Sequence, residues 1–140
     1  MRSVSDHVLL VEDDLGDILL TRRAVERSDL DVMLHAVQSG EEALDFLHRR
    51  DAFVDAPQPR LVILDLHMRG MSGLEVLQAI KSDPALSSIP VVVFTTSHAD
   101  ADVAAVYQAK ANSYVCKPVG LSRVIREIIH YFVYVALPPV

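Results

Sequence analysis

Arg60 is followed by Leu61-Val-Ile-Leu64, an aliphatic run with no polar alternation, and the run stops on Asp65. A strand wet on one side alternates polar and apolar residues. A run without alternation reads instead as a strand covered on both faces, as in a parallel α/β sheet. Such sheets bind their ligands beyond the carboxyl ends of their strands, so a carboxylate in that position points to the functional crevice. Three more strand ends carry matching groups. Val8-Leu-Leu-Val11 leads into Glu12, Asp13 and Asp14; Val91-Val-Val-Phe94 into Thr95 and Thr96; Ser113-Tyr-Val-Cys116 into Lys117 and Pro118. Acids, an acceptor aspartate, a hydroxyl and a lysine gathered at strand ends suit phosphoryl transfer on a divalent metal.

Between these strands the pattern turns helical. A helix is expected over about 15–28 with Leu15, Ile18, Leu19 and Val25 on one stripe, followed by a strand at 31–37. Ser39 with Glu42, and Ser72 with Glu75, have the spacing of capping boxes, and Asp14 is placed to cap the first helix. The second helix is expected to end near Arg50, before a loop over 51–59 that holds two prolines. Asp83-Pro84 stops the third helix, and Pro90 suits the first position of the fourth strand. Ser97 with Asp100 is expected to cap a shorter fourth helix. Leu121, Val124, Ile125, Ile128, Ile129 and Phe132 form the cleanest helical stripe. Five strands alternating with five helices imply an open parallel sheet covered on both faces, with right-handed crossovers.

A chain of 140 residues is expected to form one domain over 1–140, with a core of about 6–135, burying roughly two-thirds of its unfolded surface. With 51% hydrophobic residues and a net charge of −6, disorder is unexpected, and the absence of a basic face argues against direct nucleic-acid binding. Cys116, inside an expected buried strand, has no disulfide partner, which fits a reducing cytoplasm. Neither a signal core nor an apolar run of about 20 residues is present, so no membrane span is expected. The six histidines are scattered, and none has a second His or Cys at ligand spacing for a zinc site.

The set Glu12/Asp13, Asp65, Thr95 and Lys117-Pro118, in that order and spacing, resembles the receiver domain of two-component response regulators, the CheY-like family, over residues 6–135. The resemblance implies a flavodoxin-like, doubly wound sheet of strand order 2-1-3-4-5. It implies Asp65 as phosphoacceptor and Mg²⁺ held by Asp13 directly, by Glu12 through water, by Asp65 and by the backbone carbonyl of His67. It implies Lys117 as the point charge on the phosphate, and Thr95 as both a donor to it and, with Tyr114, a switch pair. Such a protein catalyses its own phosphorylation and dephosphorylation and is not a turnover enzyme. Arg69 and Ser72 depart from the family's usual Pro and Asp, and Lys110 from its usual Gly. Arg69 adds charge and loses a fixed φ; Lys110 either ends the fourth helix differently or holds a left-handed backbone.

Leu10-Val-Glu-Asp-Asp14, the loop over 51–59, Ala79-Ile-Lys-Ser-Asp-Pro84 and Thr95-Thr-Ser97 are similar to stand-alone regulators paired with bacterial phytochrome kinases. That implies a sensor histidine kinase as phosphodonor, possession of an unidentified downstream protein partner, and homodimerisation through the C-terminal face. Tyr131, Val133, Tyr134, Val135 and Leu137 extend past the apolar stripe; they either tuck onto the core or cover a partner. A receiver fold used only for docking is the alternative. A haloacid-dehalogenase phosphatase needs an aspartate at His67, and a Rossmann turn needs glycines where Glu12-Asp-Asp-Leu-Gly16 stands.

Overall fold

The computed structural model describes residues 6–136. The five strands are β1 (Asp6–Val11), β2 (Val32–Val37), β3 (Leu61–Leu64), β4 (Val91–Thr95) and β5 (Ser113–Cys116). They pair in parallel in the order β2-β1-β3-β4-β5. Helices α1 (Leu15–Glu26), α2 (Gly40–His48), α3 (Gly73–Ser82), α4 (Asp100–Gln108) and α5 (Leu121–His130) alternate with them. Among the described residues, no helix is long and apolar enough to cross a membrane.

The unalternating runs divide between two cores by strand period. Leu9, Val11, Val62, Leu64, Val91 and Val93 face one way, onto Phe46 of α2, Val76, Leu77 and Ile80 of α3, and Val106 of α4. Val8, Leu10, Leu61, Ile63, Val92 and Phe94 face the other way, onto α1 and α5. Both sets are buried, and this is why the runs carry no polar residue. The α5 stripe docks as expected: Leu121, Ile125, Ile128 and Ile129 are buried, with Val124 and Phe132 packed at their margin.

Several local expectations need correction. α1 docks through Ile18, Thr21, Ala24 and Val25, whereas Leu15 and Leu19 are each 60% exposed. The face that meets the sheet and α5 is rotated away from the leucines. Ser39 accepts from the Glu42 amide, but the Glu42 carboxylate takes the Gln38 amide and leaves that of Ser39, so the box is one residue out. At Ser72 the reciprocal box is complete. Ser97 does not cap with Asp100: α4 starts after Ala99, and the Ser97 hydroxyl accepts from the Ala99 amide and donates to Asp102.

Helix ends also differ in detail. α2 stops at His48 because Arg49 turns left-handed, at φ 56°. Lys110 takes the left-handed alternative, with φ 71°. Pro90 lies one residue before β4. β5 is an edge strand and only half-buried, Cys116 included. After α5 the chain continues as one π-helical turn, Tyr131–Val135. Val133 is buried there, taking the tucked alternative, while Tyr131 and Val135 stay exposed. The Asp31 amide donates to the Tyr134 hydroxyl. Leu137 lies outside the described residues.

Candidate functional site

Because β1 lies between β2 and β3, the chain winds outward in both directions from it, and the crevice opens between the carboxyl ends of β1 and β3. Val11 pairs with Leu64 in register. The residues immediately after them, Glu12 and Asp65, therefore emerge side by side. Their backbones stay tied to the sheet. The Glu12 amide donates to Val37 O at 3.0 Å, the Asp65 amide to Val11 O at 3.0 Å, and the Lys117 amide to Thr95 O at 2.7 Å. Each of these residues is held by the ladder although it lies just past its strand.

Glu12, Asp13 and Asp65 each bring a carboxylate oxygen into a group whose members lie within 4.8 Å of one another. Glu12 is buried, at 2% exposure, with Oε2 accepting from the Asp14 amide at 3.1 Å. Asp65 Oδ1 accepts from the Leu66 amide at 2.8 Å. Asp13 Oδ2 accepts from the Arg69 amide at 3.2 Å, and the Arg69 side chain lies 3.7 Å away, so the added charge at Arg69 does reach the site. Asp14 caps α1, its Oδ1 accepting from the Gly16 and Asp17 amides.

Lys117 closes the group from the β5 side with its side chain only 8% exposed. Its Nζ donates to Glu12 Oε1 at 2.5 Å and to Asp17 Oδ2 at 2.7 Å, and stands 3.6 Å from Asp65 Oδ2. Burial pushes the Glu12 carboxyl up to about 7, with the Lys117 hydrogen bond pulling against it and the Asp65 charge adding to it. Burial also works against the Lys117 ammonium, but its contacts with Asp17 and Glu12 and the charge of Asp65 outweigh it, so the ammonium is held above the ordinary lysine range.

Thr95 is 1% exposed, and its Oγ1 accepts from the Ser97 amide at 3.4 Å. Tyr114 is half-buried, and its hydroxyl donates to Ser97 O at 2.9 Å. The two expected switch residues thus grip the same short loop. The His67 imidazole is exposed and directed to α4, with Nε2 3.0 Å from Asp102 Oδ2. Ser97 Oγ donates to the same Asp102 oxygen at 2.6 Å. Together they bridge the β3–α3 and β4–α4 loops at the mouth of the site.

Three carboxylates around one buried ammonium leave excess negative charge, all on hard oxygen donors. That fits a divalent cation such as Mg²⁺, which takes oxygen ligands and retains water. Two participants were not evident from sequence: Asp17, which reads as an ordinary first-turn acid, and Asp102, which joins His67 to Ser97.

Known proteins resemble this chain in both sequence and fold. Residues 8–129 match the family model described as the response regulator receiver domain. The response regulator Rcp1 of Synechocystis sp. is 37% identical over 121 residues, covering 86% of this chain and 82% of that protein. The crystal structure of the phosphorylated cyanobacterial phytochrome response regulator RcpA superposes with a TM-score of 0.92 at 33% identity, covering 98% of this chain and 100% of that one. The Mn²⁺-bound form of Rcp1 gives 0.89 at 34% identity, covering 96% and 99%.

Proposed function

The chain belongs to the response regulator receiver domain family, and from that premise we propose that Asp65 accepts a phosphoryl group from a sensor histidine kinase in a Mg²⁺-dependent reaction. The observation that carries this reading is the acid group at the β1/β3 crevice with the buried Lys117 beside it. An Asp65 oxygen attacks phosphorus in line. The phosphorus–nitrogen bond of the donor phosphohistidine breaks, and its electron pair returns to the imidazole, which takes up a proton. Asp13, Asp65, the His67 backbone carbonyl and, through water, Glu12 would hold the cation, which would supply charge neutralisation on the transferring oxygens.

Lys117 balances charge on the phosphoryl group as a point cation, and Thr95 donates its hydroxyl to one of its oxygens. Both Thr95 and Tyr114 hold the loop around Ser97. A new anion on Asp65 draws the Thr95 hydroxyl away from the Ser97 amide, so the loop and the adjoining α4–β5–α5 face shift population. Signalling runs through the protein contacts of that face.

We take the donor to be a phytochrome-type kinase, because the solved structures that match over most of both chains include phytochrome response regulators by name. The test is phosphotransfer from a panel of phosphorylated sensor kinases with Mg²⁺ present, the labelled residue being located by mass spectrometry. Label on Asp65, fastest from a phytochrome kinase, is the expected result. Label on another residue overturns the site, and a faster unrelated kinase overturns the pairing.

The same reading includes a symmetric homodimer through α5 and the tail. Tyr131 and Val135 remain exposed on that side, and apolar burial contributes roughly 25 cal/mol per Å². Deleting residues 134–140 should weaken self-association in sedimentation while leaving phosphorylation largely intact. A wild-type monomer at tens of micromolar (roughly 6 kcal/mol of standard association energy or less), with and without a phosphoryl mimic, would remove the dimer from the proposal.

A further inference from the structure

We propose that Asp17 is a positioning residue for Lys117, fixing the ammonium while Glu12 changes partners. The proposal rests on the reading of Asp65 as phosphoacceptor. A lysine ammonium has three protons to donate. Glu12 takes one at 2.5 Å and Asp17 another at 2.7 Å, whereas Asp65 at 3.6 Å lies beyond hydrogen-bonding distance. One donor is left for an oxygen arriving on Asp65.

The two carboxylates that hold Lys117 are not equivalent. Glu12 belongs to the group of mutually close acids and Asp17 does not. A cation entering that group competes with Lys117 for the charge of Glu12. With Glu12 as its sole anchor, the lysine would then be free on a flexible four-carbon stem. Asp17 approaches from the first turn of α1 and stays outside the competition. Its side chain is partly shielded, at 27% exposure, and its bond ties the loop after β5 to α1 across the crevice. Lys117 can therefore stay within reach of Asp65 throughout metal binding and transfer.

The simpler view is that Asp17 only favours the α1 N-terminus, where a first-turn acid interacts well with the helix dipole. The two views differ in what happens to Lys117. The full chain is compared as wild type, Asp17→Asn and Asp17→Glu. The Lys117 side-chain NH₃⁺ resonance is followed by NMR without metal and during Mg²⁺ titration, and assigned by its loss in Lys117→Arg. Initial phosphorylation rates are measured against acetyl phosphate concentration.

We expect a protected Lys117 signal in wild type that shifts or broadens in Asp17→Asn, most strongly with Mg²⁺. The rate at saturating donor should fall about tenfold, the scale of one hydrogen bond to a charged group. The Mg²⁺ dissociation constant should change less than about threefold, as for a charge outside the coordination group. Asp17→Glu should recover most of the rate and the resonance. An unchanged Lys117 resonance in Asp17→Asn, or a rate loss traced wholly to weaker Mg²⁺ binding, overturns the proposal. The metal-free resonance judges Asp17 independently: if wild type is labelled away from Asp65, the phosphoacceptor reading fails while the Asp17–Lys117 contact is still tested.

Discussion

Asp65→Asn is expected to abolish phosphorylation by acetyl phosphate and Mg²⁺, with labelling reduced by at least about a thousandfold, while raising the stability of the metal-free protein. The first effect is chemical: an amide oxygen is a far poorer nucleophile than a carboxylate, and the substitution also withdraws charge from the metal-facing group. The second effect is electrostatic. Asp65 is crowded against Glu12 and Asp13, within 4.8 Å, and its charge adds to the upward shift of the Glu12 carboxyl. Asparagine keeps an Oδ1 that can accept from the Leu66 amide, and Lys117 keeps Glu12 and Asp17. The substitution therefore removes repulsion without stranding a partner. A gain of about 1 kcal/mol, or roughly 3 °C in Tm for a chain of this size, is expected. Intact-mass measurement and thermal unfolding check the two halves separately. Label persisting in the variant would rule out Asp65 as acceptor, and a lowered Tm without metal would contradict the crowding argument.

Gly73→Ala should be among the most damaging single-methyl changes available to this chain. A Cβ at Gly73 would lie 2.1 Å from Asp65 O, 2.7 Å from Leu66 Cα and 2.9 Å from the Asp65 carbonyl carbon. All three are backbone atoms, so no side-chain rotation relieves the clash. The Gly73 amide also donates to Leu66 O at 2.9 Å, which pins α3 against the end of β3. Relief requires α3 or the Asp65–Leu66 backbone to move. Overpacking of this kind costs about 3 kcal/mol, toward the upper end of the usual range, against a total stability of about 5–15 kcal/mol. Urea unfolding should show a lower midpoint, and the phosphorylation rate of the remaining folded protein should fall because Asp65 is displaced from its partners. An unchanged midpoint would mean that the close approach is not obligatory.

The residues that declared themselves in the sequence were those whose environment is uniform. Leu61–Leu64 and Val91–Phe94 are buried on both faces, so composition alone marks them as interior strands. The α5 stripe is equally plain because its opposite face is charged. α1 misled because its docking face contains Thr21 and Ala24 while leucines lie outside it; hydrophobicity does not fix a helix's rotation when small residues make the contact. The acceptor, the acids and Lys117 could be located because each directly follows a strand. Asp17 could not be assigned to Lys117, since it lies 100 positions away in the chain and a first-turn acid needs no further explanation. Ser97 reads in sequence as a cap with Asp100, and Asp102 is not singled out, because local hydroxyl–amide bonds compete with regular capping and their outcome depends on a third group, here His67.

The ladder bonds that reach one residue past β1, β3 and β5 separate what must be invariant from what can drift. Glu12, Asp65 and Lys117 inherit their positions from the sheet backbone, independently of the side chains in the loops that follow. The loops carrying Arg69 and Ser97 can then accumulate substitutions that alter pace or partnership without erasing the reaction itself. Paralogues could diverge in whom they hear and how long they remember while sharing one chemical alphabet.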